Sequence, residues 1–396
     1  MLEFFSASTR MVNSRNAISE CMESALGHNR ACNLVIVNAT IGHDYQELID
    51  QVRALAPGAR VVGASCCGIV GREGVSESLK DVAIMAVRGK QLAVAHVDDI
   101  NGHNAYDKAV ELAQQLKAAQ PDTNMVLFLA SGIDIANDRC IAGLESVLGP
   151  EVTIFGATSS DNMRGVVSYQ MVDDRVFEHG AWAVGFADPS LRVDTQATHG
   201  FFATGEPMTV THAEGTRLVE LDGRPAWQVY TERLGLDASV ATCGDTIPVG
   251  ALAEELPETL AEEYGNAHIL RVVTRRDPDG TMHYPTEIQT GTKLWLTTRD
   301  EARIFSDMDR MMKQMASRAG GSKPVAVFHA DCLARGRFLF NRVMKEELVS
   351  RMQFPLSTGG VPPPWLGMYG FGEFARLGGA NTYHNYTTAL YAIYRK

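Results

Sequence analysis

The stretch Leu34-Val35-Ile36-Val37-Asn38-Ala39-Thr40 is an unbroken apolar run that ends in small polar residues. Reading outward from it, Tyr45 to Leu55 sets Leu48, Ile49, Val52 and Leu55 at helical spacing, and Pro57-Gly58 stops that helix. A second apolar run, Arg60-Val61-Val62, closes in Gly63-Ala64-Ser65. Beyond a Gly-rich loop, Val82 to Val87 and Leu92 to His96 read as a strand pair. Short apolar runs next to helices are strands buried on both faces.

The same order returns ninety residues later. Met125 to Leu129 ends in Ala130-Ser131, a helix spans about Arg139 to Leu148, and Gly149-Pro150 stops it. Val152-Thr153-Ile154-Phe155 closes in Gly156-Ala157-Thr158, and Trp182 to Phe186 with Leu191 to Asp194 read as a second hairpin. Asn101 to Gln120 reads as the helix joining the copies. The repeat predicts an α/β fold: a pseudo-symmetric, duplicated α/β N-terminal domain over residues 30–215, then an α/β C-terminal domain with a mixed sheet over 216–396. Both Gly-Ala-Ser/Thr turns fall at carboxyl ends of strands, where open α/β sheets bind ligands. They serve equally as plain tight turns.

The second half breaks the repeat. Arg217 to Leu221 reads as a strand, Asp222-Gly223 as a hairpin turn, and Pro225 as the first turn of a helix. Strands are expected at Ile269–Val273 and Leu294–Leu296, then a Met-rich helix from about Ala302 to Ala316 and a strand at Val325–Phe328. A helix around Asn341 to Met352 precedes the Pro/Gly segment Gly359 to Pro364, and strands at Trp365–Tyr369 and Asn385–Tyr394 close the chain.

A chain of 396 residues with 45% apolar and 21% charged residues is an ordinary globular protein of two or three domains. Its net charge of −11 repels nucleic-acid phosphates and anionic membrane surfaces, so neither is an expected partner. The seven Cys show no CxxC or zinc-type spacing and read as free thiols in a reducing compartment. No signal peptide is visible and no apolar run approaches the ~20 residues of a membrane span. The expected location is the cytoplasm.

Five pieces, in order, resemble the FIST family of bacterial sensory proteins. They are Val62-Gly63-Ala64-Ser65; Gly156 through Asn162; Val210-Thr211 with Leu221 through Ala226; Cys332 through Arg337; and Gly370 through Glu373 with His384-Asn385-Tyr386-Thr387. The resemblance covers the chain from about residue 30 onward. It implies a small-ligand sensor rather than an enzyme. A free-standing chain of this length is similar to the family's nitric-oxide-sensing haem proteins, which implies haem b as cofactor and a separate histidine kinase as partner. A homo-oligomer is left open.

For haem, a neutral His nitrogen is the expected axial ligand. His199 is the metal-ligand candidate, because Gly200-Phe201-Phe202 after it could pack on a porphyrin; an exposed hairpin-end His is the bland reading. His329 reads as a core histidine. The ligand-binding candidates are Ser65, Thr158, Asp161, Asn162, Arg335, Glu373, His384 and Asn385. Arg335 could grip a carboxylate or pair with Glu373, and Glu373 could hold an amine, as an amino-acid sensor requires. Asp161-Asn162 could equally form an Asx turn. A thiol-dependent hydrolase on Cys66, Cys67 or Cys332 is the alternative of another class, although no activating base is legible. Met308, Met311, Met312 and Met315 read as a core-facing helix stripe. The segment Gly359–Pro364 is the candidate output contact.

Overall fold

The computed structural model describes residues 1–336 and 342–396. Its first unit runs β1 (Glu3–Thr9), α1 (Ser14–Leu26), β2 (Leu34–Thr40), α2 (Tyr45–Leu55), β3 (Arg60–Cys66), the small hairpin β4 (Ile69–Gly71) and β5 (Gly74–Ser76), and β6 (Val82–Arg88). The second runs β7 (Leu92–Val97), α3 (Ala105–Ala119), β8 (Met125–Ala130), α4 (Asn137–Leu148), β9 (Thr153–Thr158), the hairpin β10 (Tyr169–Val172) and β11 (Arg175–Glu178), and β12 (Ala181–Phe186). After β13 (Leu191–Thr198) comes an inserted region: β14 (Phe201–Glu214), β15 (Arg217–Leu221), β16 (Arg224–Pro225), α5 (Ala226–Leu234), α6 (Cys243–Thr246), β17 (Leu252–Glu255), α7 (Glu258–Tyr264), β18 (His268–Arg271), β19 (Arg275–Arg276), β20 (Met282–His283) and β21 (Lys293–Arg299). The chain then returns through α8 (Glu301–Ala319), β22 (Ala326–Cys332), α9 (Leu333–Gly336), α10 (Arg342–Leu356), β23 (Trp365–Gly370), the hairpin β24 (Glu373–Leu377) and β25 (Ala380–His384), and β26 (Thr388–Arg395).

Three six-stranded mixed sheets result, with orders β1-β6-β2-β3-β10-β11, β7-β12-β8-β9-β24-β25 and β13-β26-β22-β23-β4-β5. Each has a parallel central pair, β2/β3, β8/β9 or β22/β23, and each receives its outer hairpin from another unit. The sequence showed the strand-helix-strand part of this unit twice; the element order recurs in the C-terminal region.

Period-two alternation explains the apolar runs. In β2, Leu34 and Ile36 enter a core shared by all three sheets, while Val35 and Val37 meet α1 and α2. Leu127 and Phe328 enter the same shared core from β8 and β22. The outer faces are covered by α1/α2, α3/α4 and α8/α10, and the buried Met308, Met311, Met312 and Met315 of α8 belong to the third of these layers. Both faces of each sheet are therefore dry.

Two expectations need correction. Neither β6 with β7 nor β12 with β13 forms a hairpin. Both edges of β6 are occupied by β1 and β2, and both edges of β12 by β7 and β8, so the next strand must leave for another sheet. Residues 3–26, ahead of the first predicted domain, supply β1 and α1; β1 pairs with β6 from Glu3↔Arg88 to Thr9↔Val82.

The insertion builds the fourth sheet, β18-β17-β21-β14-β15-β20-β19, over its own core around Trp227 and Tyr230. Asp222-Gly223 makes the expected turn, both residues with positive φ (52° and 73°), and Pro225 is the N-cap of α5. The predicted cut at 215/216 falls in the β14–β15 turn. The two halves interleave around it, since β26 pairs with β13 and β24 with β9.

Candidate functional site

The carboxyl ends of β9 and β22 and the start of β24 converge, the place where open α/β sheets take ligands. Asp331 ends β22 and Arg335 follows it by one helical turn on α9. Their ion pair, Arg335 Nη1 to Asp331 Oδ2 at 3.0 Å, is fully buried. Arg335 thus pairs with Asp331 instead of Glu373. Its Nε and Nη2 atoms, and Asp331 Oδ1, have no hydrogen-bond partner among the described residues. Arg337 and Asn341, named in the motif and the helix after it, lie outside the described residues.

Glu373 opens β24, fully buried. Thr387 Oγ1 donates to its Oε2 at 2.6 Å, and its Oε1 has no partner. Burial pushes this carboxyl well above the usual range; the Thr387 bond opposes that, and the Asp331 charge adds to it. His384 is its cross-strand neighbour on β25. His384 Nδ1 meets the Tyr264 hydroxyl at 3.3 Å, its Nε2 is unpartnered, and burial pushes its pKa down to about 3. Asn385 Nδ2 donates to the Phe371 carbonyl at 3.2 Å, leaving Oδ1 unpartnered. Thr158 Oγ1 and His329 Nδ1 are likewise buried and unpartnered. Native interiors pair nearly all buried polar atoms, so this concentration of unpartnered ones makes the cluster the candidate site.

Beside the cluster, and sharing its wall residues Cys332, Phe371 and Tyr383, opens a cleft of about 170 Å³. Three regions line it: Gly132 to Ile135 after β8; Val272 to Arg275 with His283 to Pro285 of the fourth sheet; and Cys332 to Ala334 with Phe371 and Tyr383. A Cβ at Gly132 would lie 2.0 Å from the Ser159 carbonyl oxygen and 2.5 Å from Phe371 Cδ2, so only glycine lets Phe371 seat there. Tyr284 is buried on this wall, with an unpartnered hydroxyl.

The structure thus brings Thr158, Arg335, Glu373, His384 and Asn385 together. The other candidates stand apart. Ser65 Oγ donates to the Ser160 carbonyl and accepts from Tyr169 N, both at 2.8 Å, joining β3 to the end of β9. Asp161 accepts from the backbone N–H groups of Arg164, Gly165 and Val166 at 2.8–3.1 Å, shaping the loop that borders the cleft. Asn162, half-buried, begins that loop.

His199 is buried, and its pKa is pushed down to about 4 by that burial. Its Nδ1 accepts from Phe201 N at 2.9 Å, which leaves Nε2 to donate to the His268 carbonyl at 2.9 Å. No lone pair remains for an iron, so His199 does not fit as a haem ligand. Among the described residues no group of three or more His, Cys, Asp or Glu could hold a metal ion. Among the described residues no cysteine is in a disulfide. Burial pushes the Cys66 and Cys332 thiols up, the opposite of an activated nucleophile.

Comparison with known proteins finds two family domains along the chain. The FIST N domain matches residues 33–224 and the FIST C domain residues 226–376. The chain belongs to the FIST family. FIST domains are in general small-ligand-sensing, signal-transducing domains. An uncharacterized Mycobacterium bovis protein is 26% identical over 244 residues, 61% of this chain and 60% of its own length. The chain thus spans 60% of that relative. An uncharacterized Mycobacterium tuberculosis protein is 23% identical over 380 residues, 94% of each chain. Among solved structures, a cyanuric acid hydrolase from A. caulinodans aligns with 50% of this chain and 72% of its own, at 9% identity and a TM-score of 0.30. PurLQS from Thermotoga maritima covers 100% of this chain and 72% of its own, at 9% identity and a TM-score of 0.22. Neither likeness is close enough to bear on fold or function. Among the described residues no helix is long and apolar enough to cross a membrane.

The sequence reading missed the cleft wall, above all Tyr284 and Ile133. Gly132-Ile133 does follow a predicted strand end at Ser131, so the strand-end rule reached that far. Tyr284 comes from an irregular stretch of the insertion, with no periodic signal.

Proposed function

We propose that this chain is a sensor, not an enzyme, for a small molecule bearing a carboxylate, bound where the cleft meets the Arg335–Glu373 cluster. One observation carries this reading: the free Nε/Nη2 edge of a fully buried guanidinium. Those two N–H groups project from one side as a parallel pair, the geometry that grips both oxygens of a carboxylate. Glu373, whose carboxyl burial biases toward the protonated form, can add a donor, and Asn385 Oδ1 adds an acceptor. An amino acid satisfies this set, and so does a simple organic acid. A thermal-shift panel of amino acids and organic acids tests it, since a ligand that binds only the native state raises the melting temperature. We expect carboxylates to raise it and their amides to do so far less. Equal shifts from acid and amide, or none from either, would reject the reading.

Three separate regions of the chain line the cleft, so a ligand there favours one arrangement of them over others. A partner that distinguishes those arrangements reads the signal. We take that partner to be a separately encoded histidine kinase and place the protein in the cytoplasm, which cysteines outside any disulfide support. The segment Gly359–Pro364 precedes β23, at the end away from Phe371; six strand residues separate it from the cleft, roughly 20 Å. It therefore does not border the ligand. Kinase autophosphorylation with the ligand-free and ligand-bound protein is the check on this output, and identical activity in both states would reject it.

A further inference from the structure

The cleft itself constrains the rest of the ligand. Its walls include the apolar side chains Ile133, Ile135, Ile247, Val272, Leu333 and Phe371. Phe371 is half-buried although the residues on both sides of it in the fold are packed tight, so part of its ring faces the cleft. At about 170 Å³ the cleft slightly exceeds an apolar cavity of about 150 Å³, which holds one benzene. Of the charged residues that line it, His283 and Arg275 already have partners, while Asp134 is exposed. His283 Nε2 lies 2.8 Å from Asp277 Oδ2, and Arg275 Nη1 lies 3.5 Å from Asp277 Oδ1.

One polar atom on this wall is unsatisfied. Tyr284 is 3% exposed, lines the cleft, and its hydroxyl has no partner among the described residues. A buried phenol without a partner carries a desolvation cost, which a hydrogen-bonding group on a bound molecule would offset, because the oxygen accepts as well as donates.

We propose that the ligand is a carboxylic acid built on an aromatic or heteroaromatic ring, of one ring or two fused rings, whose ring fills the cleft against Phe371 and whose edge meets the Tyr284 hydroxyl. This rests on the sensor reading and narrows it from carboxylates to ring-bearing carboxylates. The ring supplies what acyclic acids lack: contact with apolar walls from three regions at once, and the offset or edge-to-face approach that aromatic pairs prefer.

The experiment is calorimetric titration of the full chain with indole-3-acetate and phenylacetate, with acetate and propionate as acyclic probes. It is repeated on Ile133→Trp, which fills the cleft from the side, and on Tyr284→Phe, which deletes only the hydroxyl. The expected result is at least tenfold tighter binding of the ring acids. Ile133→Trp brings them to the level of acetate, and Tyr284→Phe weakens indole-3-acetate several-fold. Ring acids that bind no tighter than acetate overturn the ring assignment and leave the carboxylate reading standing. So does a ring preference that survives Ile133→Trp in a variant whose circular dichroism matches the parent. Binding of no carboxylate at all overturns both.

Discussion

At the ends of β3 and β9, the serine hydroxyls have their partners. Ser65 Oγ both donates and accepts, Ser160 Oγ donates to the Tyr369 carbonyl at 2.7 Å, and Ser159 Oγ accepts from Gln170 Nε2 at 2.7 Å while donating to Ser168 Oγ at 2.8 Å. At the ends of β22 and β24, equally buried groups are half-satisfied: Arg335 uses one of three nitrogens, and Asp331, Glu373 and Asn385 each leave an oxygen free. The two centres share a strand-end position, but the first is built of neutral hydroxyls and an amide and the second of charged groups with an amide. The first binds the units of the fold to one another. The second retains bonding capacity the fold does not use, and that is what a ligand site requires.

The largest expected effect breaks the second centre. Asp331→Ala leaves the Arg335 charge buried without its carboxylate, and denaturant unfolding should show a loss of about 3–5 kcal/mol. Breaking the first centre should cost less. Ser65→Ala strands the Tyr169 N–H and the Ser160 carbonyl, and the same measurement should show about 1–3 kcal/mol. A loss for Asp331→Ala no greater than that for Ser65→Ala would mean the ion pair is better hydrated than its burial implies.

The smallest effect is on pH dependence. The folded Glu373 carboxyl titrates above its unfolded value, so between those two values the native state holds a proton that the unfolded state has lost. Stability then falls as pH rises through that window. Glu373→Gln mimics the protonated acid and abolishes this fall. Wild type and variant should melt alike near pH 4 and diverge in the variant's favour as pH rises. Parallel curves from pH 4 to 8 would show that Glu373 ionises normally.

The fold was legible where both faces of a strand are dry. Leu34–Val37 and Met125–Leu129 announced themselves as unbroken apolar runs, and Asp222-Gly223 fixed its own turn through local backbone preference. Pairing was less legible. The links after β6 and β12 look like hairpin turns, and only the occupancy of both strand edges, a long-range fact, excludes that. The third copy of the connectivity is hidden by the insertion between β13 and α8. At the site, Arg335, Glu373, His384, Asn385 and Thr158 were named in advance, but not that Arg335 pairs with Asp331. His199 was judged on its aromatic neighbours, whereas both its nitrogens are taken by the backbone of Phe201 and His268, contacts no local pattern encodes.

The central claim is that the Arg335 centre binds a ligand instead of merely holding the fold. The double variant Asp331→Asn/Arg335→Met removes both charges together, so no lone buried ion remains and the fold should survive with modest change. The decisive measurement is the melting-temperature shift that saturating phenylacetate produces in this variant and in wild type. We predict a clear rise for wild type and none for the variant, whose own melting stays cooperative. A shift of equal size in both proteins would contradict the account.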